Sequence, residues 1–507
     1  MEKLKQIKHK HIPFFWWAIL SGILFGLSLI DIELGFLSFF AFAIYLSIVI
    51  KSNSKQSFLY GLLFGFVLSC ITLYSTILVK VIAFIGLLIA MPLYFGIITL
   101  FIKKVQLRFT KSFIWFFPII WIAFEYFMTL GPLNFPWHNV GYSLANYYYL
   151  IQFADIFGIY GISFIVLIIN ILIYRIFSGK FKDITFIIII FMLWFGYGFY
   201  KDKTIKLQKE DLKIGIVQLN ILQEDKWNPA ILDSTIVEYA KQVSIVVKED
   251  SVDLVIFPES AITTHLLHER EYKKRISNMA ISNKVNLIIG FPDYEVKWID
   301  KKPRYEFFNS ATMVDKDGNF LPKYDKIRLV PFGERIPFLR TFPILEKLQF
   351  GQANFEYGKN PRLYPINDFQ FPILICFEGV FPELSRQYVR KGADFIVVIT
   401  NDGWFQETAF PKEHANNTKI RAVENRVSLF RAANTGISYI VNPKGQIIEK
   451  TEIYEKENIS DFLFTSKNKF SFFVKVGYIF PIICFWVSII LIIYAIFSKL
   501  ILVRKND

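Results

Sequence analysis

Cysteine is scarce in this chain: 507 residues contain only Cys70, Cys376 and Cys484. The first and last lie inside apolar runs, so the polar part of the chain holds one thiol and no internal disulfide is expected there. Charged residues make up only 20% of the sequence, and histidines number six. No recognisable metal-ligand motif occurs. His265 and His268 have helical i, i+3 spacing, but no further ligands accompany them and an exposed helical face accounts for the pair. No metal and no cofactor are expected. The basic opening segment MEKLKQIKHKH is followed by an apolar run without a clear small-residue cleavage site, so it is expected to begin a retained span rather than a signal peptide.

What the chain has in abundance is apolar and aromatic side chains, 53% and 18% of the total, too many for a purely soluble protein of this length. They are concentrated. Seven runs before about Tyr200 are long enough to suggest membrane helices: Phe14 to Ile30, Leu34 to Ile50, Ser57 to Leu78, Val81 to Ile102, Phe113 to Thr129, Leu150 to Phe177 and Ile184 to Tyr200. An eighth runs from Val474 to Phe497. The expected organisation is a membrane domain over 1–203, a globular domain over 204–469, and a final span with a cytoplasmic tail over 470–507.

The net charge of +14 does not require nucleic acid, and none is expected as a partner, because the lysines and arginines follow the spans. The N-terminus, Lys51 to Lys55, Lys103 to Lys111, Lys180 to Lys182 and Lys499 to Lys505 are basic and fall on one side, the cytoplasm. The globular region then lies outside. Glu125 and Asp155 sit within apolar runs, where a carboxylate either bonds a neighbouring helix or marks a functional site; the first account is preferred. The segment NFPWHNVGYS, Asn134 to Ser143, carries no Lys, Arg, Asp or Glu and suits an interfacial belt or a lipid path beneath the globular domain.

From Lys213 onward, short β-branched runs alternate with polar helical stretches, the pattern of an α/β layered domain. Three segments place chemistry near the ends of apolar runs: FPES with Glu259, KYDKIRLVPFGE with Lys326 and Glu334, and ILICFE with Cys376. Singly, each has a plain structural explanation as a capping acid, a solvated charge or a small buried hydrophobe. Together their duties complement one another. A thiol needs a base to become a nucleophile, Glu259 can serve, and Lys326 can favour the thiolate and an oxyanion. His414 is a rival partner for Cys376, placed behind Glu259 because no pattern supports it.

These three segments, in this order, resemble the Glu-Lys-Cys triad of the carbon-nitrogen hydrolase (nitrilase) superfamily. With the multispan N-terminal region, LVPFGE, NDGWF from Asn401 and RAANTG from Arg431, the chain is similar to the apolipoprotein N-acyltransferases of bacteria. The resemblance implies a multispan α-helical membrane domain plus an α-β-β-α nitrilase-like sandwich on the periplasmic side of the inner membrane. It implies a phospholipid acyl donor, an apolipoprotein acceptor, a thioester on Cys376, Glu259 as base and Lys326 as oxyanion partner. Glu334 and Glu378 match supporting acids, and Trp227 an aromatic position on an arm over the site. Phe377 stands where a tyrosine is common, Arg328 where histidine is frequent, and Tyr478 follows Gly477 where an aspartate is expected. A monomer is expected. Two other functions share these features: a membrane-anchored amidase acting on a small amide, and a transporter or receptor with a ligand-binding outer domain.

Overall fold

The computed structural model describes residues 14–31, 33–110, 112–339, 341, 354–467 and 470–503. The basic N-terminal segment, Lys111 and the end of the tail, whose charges enter the topology reading, lie outside the described residues.

The apolar runs fold as helices: α1 (Phe14–Ile30), α2 (Ser38–Lys51), α3 (Ser54–Thr72), the single turn α4 (Thr76–Val79), α5 (Val81–Phe109), α6 (Phe113–Phe127), α7 (Tyr148–Ile151), α8 (Ala154–Phe177) and α9 (Asp183–Thr204). Among the described residues six helical segments are long and apolar enough to cross a membrane: Glu33–Lys51, Ser54–Thr72, Val81–Phe109, Ala154–Phe177, Asp183–Thr204 and Phe473–Phe497. α1 and α6 are shorter apolar helices, of 17 and 15 residues.

Three expected boundaries need correction. The third helix starts at Ser54, where Asn53 and Gln56 form a capping box, and stops at Thr72 rather than Leu78. The fifth helical segment, α5, runs on to Phe109, beyond Ile102. The run from Leu150 is not one helix, because Phe157 and Gly158 leave helical geometry and Gly158 adopts φ +65°. The helix restarts at once, with the Ile159 N–H donating to Glu424 Oε1 at 2.8 Å in place of an intrahelical acceptor.

The globular region builds β1 (Leu207–Gln218), α10 (Gln223–Lys226), α11 (Leu232–Asp250), β2 (Leu254–Ile256), α12 (Arg270–Asn283), β3 (Asn286–Ile299), β4 (Lys302–Val314) and β5 (Tyr324–Asp325). It continues through β6 (Tyr364–Ile366), β7 (Phe369–Phe371), β8 (Ile373–Ile375), α13 (Pro382–Arg390), β9 (Phe395–Thr400), α14 (Phe410–Asn425), β10 (Ser428–Ala433), β11 (Tyr439–Val441), β12 (Ile447–Lys450) and β13 (Glu457–Ser466), before α15 (Ile479–Val503). Two large sheets result, with strand orders β13-β1-β2-β3-β4-β5 and β12-β11-β10-β9-β8, and β6 pairs with β7 in a small third sheet. Strand periodicity sorts their side chains into two cores. Ile214, Ile216, Leu254, Ile256 and Ile288 face the second sheet and pack with Ile373 to Ile375 and Val397, whereas Val217, Val255, Leu287 and Ile289 face α11 and α12. With α13 and α14 outside the second sheet, the domain is the α-β-β-α sandwich that the sequence led us to expect.

α14 has no wet face: of its residues only Lys412 is exposed and Asn416 half-buried. One side serves the second sheet and the other packs on α8. Around it, Arg426 Nη2 meets Asp155 Oδ2 at 2.9 Å and Arg426 Nη1 donates to Gln152 Oε1 at 2.8 Å. Asp155 also accepts from Lys201 Nζ at 3.0 Å and from the Tyr197 hydroxyl at 2.5 Å. Asp155 is thus a tie between α8, α9 and the sandwich, and Glu125 ties α6 to the segment after it by accepting the Val140 N–H at 2.8 Å. Gly477 sits where a Cβ would come within 1.8 Å of the Ile156 carbonyl oxygen, so the start of the last helix can dock on α8 only with hydrogen at that position.

Breaking a buried ion pair by removing one partner costs about 3–5 kcal/mol. Arg426→Met is expected to lower the thermal unfolding midpoint of the detergent-solubilised chain correspondingly. An unchanged midpoint would mean that the Asp155 contact does not join the two regions energetically.

Candidate active site

Glu259 emerges from the end of β2 through Phe257 and Pro258, and β3 can pass directly beneath because Gly290 lacks the Cβ that would lie 2.9 Å from the Glu259 Cα. Both carboxylate oxygens are held. Oε1 accepts from Asn309 Nδ2 at 2.7 Å and Oε2 from the Asn401 backbone N–H at 2.9 Å. Lys326 Nζ lies 3.6 Å from Oε1.

Lys326 follows β5, its backbone N–H fixed to the Asn309 carbonyl at 2.9 Å, and is 1% exposed. Its ammonium donates to Glu334 Oε1 at 2.8 Å. Burial alone would lower its pKa, but Glu334 and Glu259 raise it above the ordinary lysine value, so it stays charged. Glu334 in turn accepts from Asn309 Nδ2 at 3.0 Å and closes its own turn by accepting the Val330 N–H at 2.9 Å.

Cys376 ends β8 and opens a tight 3₁₀ turn with φ +53°. For a residue with a side chain that conformation costs about 1–2 kcal/mol and must be held by its surroundings. Glu378 does much of the holding. Its Oε2 accepts the Ile375 N–H at 2.8 Å, while Oε1 accepts the Ile327 N–H at 2.7 Å, the Arg328 N–H at 3.0 Å and the Tyr324 hydroxyl at 2.7 Å. One fully buried carboxylate therefore staples the cysteine turn to the lysine loop. Burial first and Glu259 second push the Cys376 thiol above its usual value, with Lys326 pulling the other way, so the resting sulfur keeps its proton.

The structure brings Glu259, Lys326 and Glu334 into one frame whose charges bear on Cys376, and Glu378 ties the backbone just before Cys376 to that just after Lys326. Phe377 is buried beside it, its ring 5.0 Å from Phe381 and 6.1 Å from Phe135 of the segment between α6 and α7. Trp137 of the same segment stacks on Phe410 at 4.4 Å and donates its indole N–H to Glu413 at 2.8 Å. Trp227 is half-buried with its Nε1 unpaired; it is the neighbouring Lys226, absent from the sequence-based set, whose Nζ reaches the Glu259 carbonyl at 3.2 Å. Burial lowers the Lys226 ammonium to about 7, against the pull of Glu259. Asn309 was likewise not singled out from sequence, since a lone amide within a strand carries no motif, and Asn401 entered only as the first residue of NDGWF, with no role given to it. Arg328 turns away to Glu383 at 3.1 Å, and Tyr478 lies under the Arg386 guanidinium at 5.5 Å.

His414 Nε2 faces the Cys376 backbone carbonyl at 3.3 Å, and Nδ1 lies 2.9 Å from Asp402. His268 stacks on Tyr294 at 4.1 Å and His265 meets the same ring edge-on at 4.9 Å. Among the described residues no group of three or more His, Cys, Asp or Glu side chains is placed to hold a metal ion.

Residues 21–172 match the apolipoprotein N-acyltransferase N-terminal domain, and residues 213–461 match the carbon-nitrogen hydrolase domain. An apolipoprotein N-acyltransferase of Geobacter metallireducens is 31% identical over 92% of this chain and 92% of its own length. That of Rickettsia typhi is 31% identical over 72% of this chain and 74% of its own. An amidase from Nesterenkonia sp. superimposes on 54% of this chain and 95% of its own, at 17% identity and a TM-score of 0.39. With two domain matches that together take in both the helical region and the sandwich, and relatives alike over nearly the full length, the chain belongs to the apolipoprotein N-acyltransferase family and is an acyltransferase of that type.

Proposed function

We propose that this enzyme moves an acyl chain from a membrane phospholipid to the α-amino group of the diacylglyceryl-cysteine that begins an apolipoprotein, storing the chain meanwhile as a thioester on Cys376. The observation that carries this reading is the common frame of Glu259, Lys326 and the Cys376 turn, with Phe377 set against the helical region through Phe135.

In the first half-reaction Glu259 takes the Cys376 proton as the sulfur attacks the ester carbonyl, and the Lys326 ammonium stabilises the oxyanion that forms. The C–O bond breaks, the lysophospholipid alkoxide takes the proton from Glu259, and the thioester remains. In the second, the acceptor amine attacks the thioester carbonyl and gives a proton to Glu259. The C–S bond breaks and the sulfur recovers that proton. A sulfur that is protonated at rest makes the base indispensable, which is the part given to Glu259. Glu334 and Glu378 keep Lys326 and the cysteine turn in register, and Trp227 and Phe377 supply apolar cover that keeps water from the thioester.

The enzyme works as a monomer at the bilayer of the inner membrane, where both substrates are anchored, with the sandwich on the periplasmic side and organised as 1–203, 204–469 and 470–507. Two-dimensional confinement of donor and acceptor near the site replaces part of the positioning that the protein would otherwise supply.

Cys376→Ala is expected to abolish acylation of a diacylglyceryl peptide in phospholipid micelles. Glu259→Gln is expected to cost on the order of 10²–10⁴-fold, the range of a lost general base. Lys326→Met is expected to cost at least on the order of 10²–10³-fold, as for loss of an oxyanion donor. An active Cys376→Ala enzyme would overturn the reading. For orientation, Trp298 is 71% exposed on the β3–β4 hairpin. Trp298→Cys should react with a membrane-impermeant maleimide in spheroplasts, and reaction only after lysis would place the sandwich in the cytoplasm.

A further inference from the structure

We infer that His414 is a positioning residue for the nucleophile: its Nε2–H holds the Cys376 backbone carbonyl, and the Asp402–Arg431 pair holds its ring. The inference rests on the reading of Cys376 as nucleophile and adds the half of the turn that Glu378 does not hold.

The backbone at Cys376 sits at φ +53°, a conformation that a residue with a side chain keeps when its surroundings hold it. On the amide side the tie is Glu378, through the Ile375 N–H. On the carbonyl side it is His414, with Nε2 3.3 Å from the Cys376 oxygen. A carbonyl can only accept, so Nε2 must carry a hydrogen. The other ring nitrogen lies 2.9 Å from Asp402 Oδ1, which also accepts from Thr400 Oγ1 at 3.1 Å. Asp402 Oδ2 accepts from Arg431 Nη2 at 2.6 Å, and that same guanidinium nitrogen is 3.2 Å from Nδ1. His414, Asp402 and Arg431 are each no more than 1% exposed. Trp137 and Phe410 flank the ring, with centroids 5.7 Å and 6.2 Å away.

This arrangement separates His414 from the role of base. Among the described contacts the imidazole addresses the carbonyl of Cys376 and none joins it to the sulfur, whereas Glu259 belongs to the frame that bears on the thiol. The two functions meet in one segment. Asn401 gives its backbone N–H to Glu259, and the next residue, Asp402, orients the ring. A shift at the end of β9 would therefore move base and nucleophile together.

The test exploits side-chain geometry. Glutamine places an amide N–H near the position of Nε2 and can still donate to the Cys376 carbonyl; asparagine reaches only as far as Nδ1. In the full-length enzyme in phospholipid micelles, His414→Asn is expected to lower kcat on the order of 10²-fold, the scale of a small misplacement of reacting groups. The KM for phospholipid should stay within about twofold, as binding itself is not altered. His414→Gln is expected to recover most of the rate. Alkylation of Cys376 by iodoacetamide, followed against pH, should slow in His414→Asn with its midpoint unmoved, because the groups that set it, Glu259, Lys326, Asp402 and Glu334, remain. Wild-type kcat in His414→Asn, equal losses in both variants, or a displaced alkylation midpoint would each overturn the inference, the last by making His414 a proton partner of the sulfur. Should the wild-type enzyme transfer no acyl chain through Cys376, the proposed function fails instead, and the alkylation profiles still decide the role of His414.

Discussion

The constraint on which the rest depends is the burial of Lys326. An ammonium cut off from water costs several kcal/mol unless charges and hydrogen bonds replace its hydration. Glu334 at 2.8 Å and Glu259 at 3.6 Å do so, and Asn309 keeps these two carboxylates apart by donating to both. Positions that look independent along the chain, at the ends of β2 and β5 and in the PFGE turn, are thereby forced into one geometry. The same electrostatics answers a chemical need. Under the proposed function, a lysine that stays charged gives the site an acceptor for negative charge before any is made, and Glu259 is the base that makes it.

The second layer is how this frame is tied to the helical region. α14 lies between the sandwich and α8, and its charged residues are spent on both sides. Arg421 pairs with Glu424 at 3.1 Å within the helix, Glu424 caps the restart of α8 at Ile159, and the neighbouring Arg426 reaches Asp155. The Tyr142 hydroxyl donates to the Val380 carbonyl at 3.0 Å, four residues after Cys376. Through Phe135 and Trp137 the segment between α6 and α7 then closes against Phe377 and Phe410. The Cys376 turn thus touches the apolar region directly, the setting in which the proposed acyl transfer would not draw a long chain through water.

How much was legible beforehand follows from what leaves a local trace. Glu259, Lys326, Glu334 and Cys376 lie in short segments where a charged or nucleophilic side chain ends an apolar run, and that pattern survives without coordinates; Glu378 was reached only through the family resemblance. An α/β layered domain was legible because β-branched runs alternate with polar helices, and its two-sheet form followed only from the family resemblance. The break at Gly158 was not, since hydropathy runs on unchanged through IFGIYGIS and the cause of the break, Glu424, lies far along the chain. Lys226 and Asn309 escaped, and Asn401 was given no role within NDGWF, for the same reason: each acts through a partner remote in sequence. His414 was visible only as a rival base, because sequence shows a residue type and not whether it faces a sulfur or a carbonyl.

The central claim is that the sulfur of Cys376 stores an acyl chain between two substrates. It is tested most directly by mass spectrometry of the intact enzyme after exposure to a phospholipid of defined chain length. The account predicts an adduct of that acyl mass on the Cys376 peptide, lost on addition of a diacylglyceryl-cysteine peptide as the N-acylated product appears. Product formed while Cys376 stays free of any acyl adduct, or an adduct that the acceptor peptide does not discharge, would contradict it.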